Sequence, residues 1–137
     1  MQNQLQNPTV LAGRVLLGLI FILAGFGKIA DFNGTVGYIA SAGLPIPSVV
    51  AVLTILVEVG GGLLLVFGFF TRPAALVLGA FSVLSAIVFH NFWAVPEAQK
   101  MMMTTEFLKN LSIAGGMLVL AAFGPGSISL DAKRNAA

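Results

Sequence analysis

Four apolar segments, at about residues 10–29, 47–70, 73–92 and 106–123, take up most of a chain of 137 residues. A bilayer span needs about 20 consecutive apolar residues. Inside lipid a span must satisfy its backbone hydrogen bonds internally, so the segments predict four membrane-crossing helices. With 58% hydrophobic residues and only 9% charged, no separate soluble domain fits. The expected fold is one all-α membrane domain, an antiparallel up-down four-helix bundle.

The connections carry the punctuation. Residues 30–48 hold Gly, Pro, Asn and Ser and are read as an external loop with room for a short interfacial helix. Pro47 sits in the first turn of the second span, where a missing N–H is harmless. Thr71-Arg72-Pro73 is read as a tight turn closing a hairpin of spans two and three. NFWAVPEAQKMMMTTE is read as a second long loop, and Gly124-Pro125-Gly126 as the stop of span four, leaving residues 124–137 as a tail. Two similar blocks, GGGLLLVFG and GGMLVLAAFG, are read either as the trace of a duplicated helical hairpin or as a product of composition alone.

Cysteine is absent, which removes disulfides, thiolate metal sites and dithiol redox chemistry. The single His leaves no spacing of metal ligands, so no metal is assigned. The formal net charge of +2 is too small and scattered for nucleic-acid binding. Basic residues instead report orientation. Arg14, Arg72, Lys133 and Arg134 fall at one end and Lys28, Lys100 and Lys109 at the other, favouring cytoplasmic termini by one charge.

Glu58 is the residue that needs explaining. A charge at mid-bilayer costs about 2.5–3.5 kcal/mol on insertion scales, so it is expected inside the bundle with a partner. Side chains on a helix lean toward its N-terminus. Glu58 therefore leans outward, Lys28 leans back toward the membrane centre, and Arg14 leans away. Lys28 is the expected partner; Arg14 is assigned as a snorkelling anchor with a secondary claim on Glu58, and Arg72 as an anchor at the turn.

Arg14, Gly18, Phe21, Gly25 and Lys28 recur at steps of four and three, one inward stripe. Ala75, Gly79, Ser82, Ala86 and His90 form another. The helices thus aim Lys28, Glu58, His90, Asn91, Lys109 and Asn110 at one outer vestibule, with Asp31 and Glu106 at its rim. Glu58 and His90 are the candidate proton carriers and the other four candidate ligand contacts.

Three blocks, "RVLLGLIFILAGFGKIADF", "LVEVGGGLLLVFGFFTRPAAL" and "FLKNLSIAGGMLVLAAFGPGSISLD", together with "FHNF" at His90, resemble the DoxX family of small bacterial four-span membrane proteins. The resemblance runs from Gly13 to Asp131. It implies a four-helix fold in the bacterial inner membrane and, because the family is named for quinone-linked oxidation complexes, a redox partner protein. Apolar walls with a few convergent polar groups also suit a small lipophilic ligand with a polar head, a quinone or phenol, without a covalently bound cofactor. The competing readings are a scaffold or assembly subunit, a homo-oligomer among its forms, whose polar cluster fixes helix register, and a small-solute or proton pathway.

Overall fold

The computed structural model describes residues 2–136, and the side chains of residues 6–136. Among them there is no strand, and four helices are long and apolar enough to cross a membrane. The first helix, α1, is Gln2–Ala30, and a short α2, Phe32–Ser41, follows it. The second span, α3, runs Pro47–Phe67; α4 is Thr71–Phe89, α5 is Glu97–Phe123 and α6 is Leu130–Ala136.

Three boundaries correct the sequence reading. The second long loop shrinks to a 3₁₀ turn at Phe92–Ala94, and α5 starts at Glu97 rather than near residue 106. Pro96 stands at the N-cap without a side-chain cap hydrogen bond, and Glu97 makes the first turn acidic, which the helix dipole favours. Thr71-Arg72-Pro73 is helical, and the tight turn lies just before it, at Gly68 and Phe70, both left-handed. The tail is not loose: it folds into α6 and tucks under the bundle. In the first connection a helix does form, α2, whose N-cap Asp31 accepts a hydrogen bond from Gly34 N–H at 3.0 Å.

In a bilayer the partners of a helix are no more apolar than lipid, so association depends on close packing. The stripes provide it. Arg14, Gly18, Phe21 and Gly25 are buried on α1, as are Ala75, Gly79, Ser82 and Ala86 on α4, while Leu16, Leu23, Leu84 and Val119 face outward. α1 packs chiefly on α3, and α4 on α5. At the first crossing Gly18 and Gly62 meet backbone to backbone: a Cβ on Gly18 would lie 2.7 Å from Gly62 O. Phe21, Leu65, Leu78, Met117 and Leu120 fill the centre.

Asn7 Oδ1 accepts Ser127 N–H at 3.1 Å, so the start of α1 and the end of α5 lie at the same end of the bundle. That end is called the lower end below, and the end carrying Lys28 and His90 the upper.

Candidate functional site

The middle of α3 is not α-helical. Leu56–Gly60 forms one π-helical turn, with Glu58 at its centre and Gly60, Gly61 and Gly62 behind it. Such turns insert one residue into the helical register and recur at functional sites. Glu58, Gly62 and Leu65, at steps of four and three, are all buried. Gly62 then meets α1, whereas Gly61 meets Leu78 of α4.

Lys28 Nζ lies 2.9 Å from Glu58 Oε1, to which it donates a hydrogen bond, and 2.9 Å from Oε2. The carboxyl is buried, at 5% exposure, and the lysine side chain is 30% exposed. The ammonium therefore bridges a wet rim and a dry floor.

The pair borders a cavity of about 330 Å³ at the upper end, formed by all four spans with α2 over it. Phe21 and Phe81 meet edge to face below it, 6.4 Å between centroids. Tyr38 of α2 stacks on Phe89 of α4 at 5.3 Å, and both rings line the cavity together with Thr54 and Ser85.

His90, Lys109, Asn110 and the rim residue Glu106 join Lys28 and Glu58 in the lining; Asn91 does not. Asn91 is the N-cap of the 3₁₀ turn, its carbonyl accepting Ala94 N–H at 2.9 Å. Asp31 is spent capping α2 and is also outside the lining. Lys109 pairs with Glu106 at 2.7 Å, and Asn110 Nδ2 donates to Glu106 O at 3.0 Å. His90 Nδ1 is buried and has no hydrogen-bond partner among the described residues, and an unpaired buried donor or acceptor costs about 1–3 kcal/mol. Among the described residues no three His, Asp or Glu side chains gather closely enough to hold a metal ion.

Tyr38 is a lining residue that the sequence reading did not place at the vestibule. The cue was that a 10-residue α2 must bury one face, and its Ile39 is 3% exposed.

Arg14 is corrected. It leans toward the lower end as expected but does not snorkel, being only 2% exposed. It donates to Pro125 O at 2.6 Å, Ile128 O at 2.8 Å and Val66 O at 3.4 Å, so it has no share in Glu58. It fastens the 124–129 segment to the bundle. Asp131 completes the fastening, accepting Phe70 and Thr71 N–H at 2.9 Å each. Burial pushes this carboxyl up, but the hydrogen bonds from Thr71 and Phe70 and the charge of Arg134 outweigh it, holding it below the ordinary range. Arg72 Nη1 caps the end of α5, donating to Ala121 O and Ala122 O at 3.0 Å each.

Four packed spans, a lipid-facing apolar exterior and one polar-headed cavity define a multi-pass helical membrane protein with an intramembrane ion-pair site. Residues 9–91 match the family model for DoxX, and the chain belongs to the DoxX family. It is 41% identical to inner membrane protein YphA of Escherichia coli K12, over 90% of this chain and 89% of the relative. It is 42% identical to inner membrane protein YqjF of the same organism, over 97% of each. A more distant likeness, 27% identity, is to the ER-derived vesicles protein ERV29 of Saccharomyces cerevisiae, over 90% of this chain but 33% of that protein. No solved structure matches the chain. With four spans and these relatives, its place is the inner membrane.

Proposed function

We propose that the upper cavity takes the polar head of a small lipophilic molecule, quinone- or phenol-like, and that the chain serves as a membrane partner of an oxidoreductase system. The observation that carries the reading is the Lys28–Glu58 pair, 2.9 Å apart, set into a cavity otherwise walled largely by aromatic and aliphatic side chains. Ligand clefts run about 300–1,000 Å³; this one is at the small end, suited to a single substituted ring with its tail toward lipid. Lys28 and Asn110 would orient the ring oxygens. Glu58, already hydrogen-bonded to a cation, would exchange a proton with one oxygen, and the unpartnered His90 Nδ1 would be the second carrier. Electrons would arrive from the partner enzyme. The likeness to a family named for quinone-linked oxidation complexes supports the same choice.

Photolabelling tests it. Protein in nanodiscs is irradiated with a short-chain azido-benzoquinone, with an excess of a simple phenol as competitor. Labels that map to Tyr38, Phe89 or Asn110 and disappear with the competitor support the reading. Labels confined to outward-facing positions such as Leu16 and Leu23 overturn it.

A further inference from the structure

A second, wider cavity, of about 440 Å³, opens at the lower end between the start of α4, the end of α5 and α6. It lies across the bundle from the Glu58 site and shares no residue with it. Two guanidinium groups line it, both held in place. Arg72 is fixed through Nη1 by two carbonyls of α5. Arg134 lies over the ring of Phe70, 4.7 Å from its centroid, a cation–π placement.

Among the described residues the only carboxylate in the lining, Asp131, is turned to internal use: both its oxygens accept backbone N–H groups of Phe70 and Thr71, and Arg134 Nη2 stands 3.5 Å away. Arg72 is exposed and half of the Arg134 side chain is open. The cavity also sits at the level where Phe67, Phe70 and Phe123 are exposed, the aromatic girdle that marks a membrane–water boundary. Phosphate-bearing headgroups occupy that level.

We propose that this cavity binds the phosphate headgroup of an anionic phospholipid through Arg72 and Arg134. Planar guanidinium groups suit phosphate oxygens, which accept paired N–H donors. Basic pockets at the ends of membrane helices gain affinity with each cation near an anionic head. The lipid would add a clamp across α4, α5 and α6, joining elements that Asp131 and Arg72 already hold together.

Native mass spectrometry of the full chain, purified in detergent and supplied with equal phosphatidylglycerol and phosphatidylcholine, tests this. The unaltered protein is expected to retain phosphatidylglycerol preferentially, and the preference should fall about fivefold for each guanidinium removed in Arg72→Gln and Arg134→Gln. Should the double variant fail to fold, Ser127→Glu places a negative charge in the same wall without touching either arginine, and it should lose the preference too. Lys100→Gln, at the other end, should keep it. Millimolar inorganic phosphate should not strip the lipid; if it does, the site takes free phosphate and the lipid assignment falls. The assignment falls also if the unaltered protein shows no preference, if Ser127→Glu or a folded double arginine variant keeps it, or if Lys100→Gln loses it.

Discussion

Replacing Lys28 by Met keeps the length of the side chain and leaves Glu58 without its cation. At 2.9 Å and an effective dielectric of about 20, the gross attraction between unit charges is about 6 kcal/mol. Desolvation consumes much of that, and removing one member of a buried pair costs about 3–5 kcal/mol. Lys28 is partly open to solvent, and a stranded carboxyl can take up a proton, so the expected loss is about 2–3 kcal/mol. Glu58→Gln leaves a lysine that can reach water by itself and should lose about 1 kcal/mol. The double variant should lose less than the sum of the two, a coupling of at least about 1 kcal/mol, because neither residue then strands the other. Reversible unfolding in mixed micelles, followed by helical circular dichroism, measures all three. Strictly additive losses, or a Lys28→Met protein as stable as the unaltered one, would refute the reasoning that the pair is a coupled buried unit.

Gly18→Ala puts a Cβ 2.7 Å from Gly62 O, where two backbones rather than a flexible side chain must yield; a loss of about 1–3 kcal/mol should lower the melting temperature, whereas Gly27→Ala, which meets nothing within 4 Å, should not. Because the Asp131 carboxyl is held below its usual range in the folded protein, its contribution is complete above the unfolded value near 3.8 and is lost as pH falls below that. Stability measured from pH 6 down to pH 3 should therefore drop more steeply for the native sequence than for Asp131→Ala. Arg14→Met removes the donor to Pro125 O and Ile128 O and should free the last segment, seen as faster tryptic cleavage after Lys133 and Arg134 with the four spans still folded.

The spans were legible because lipid leaves so few alternatives for the backbone, and the stripes because small residues at steps of three and four must face a neighbour. The Lys28–Glu58 pairing followed from the same geometry, since Cβ direction fixes which cation can reach a carboxylate from an adjacent antiparallel helix. The π turn was hidden: Gly60, Gly61 and Gly62 permit it, but a single turn of this kind at Leu56–Gly60 leaves no apolar periodicity of its own in the chain.

The lower end was hidden for another reason. A helix as short as α6 is not stable alone, and it exists through Ser129, which caps it by accepting Ala132 N–H, and through Asp131, which caps α4. Phe70, in a left-handed conformation unusual for a bulky residue, is held there by that carboxylate. Such reciprocal capping between distant segments leaves only a Ser and an Asp as its trace in the chain. Asn91 was misplaced because α4 ends at Phe89, and beyond His90 the chain passes straight into the 3₁₀ turn at Phe92–Ala94, of which Asn91 is the N-cap.

Solvent extraction of gently purified protein, with mass spectrometric quantification of quinones and phenols per folded chain, compares the unaltered sequence with Glu58→Gln. The expected result is close to one such molecule per unaltered chain and a marked loss in a Glu58→Gln protein whose helix content is intact. Ordinary phospholipid alone in both, or the same quinone content in both, would contradict the assignment of the ion-pair cavity as the site of a lipophilic redox ligand.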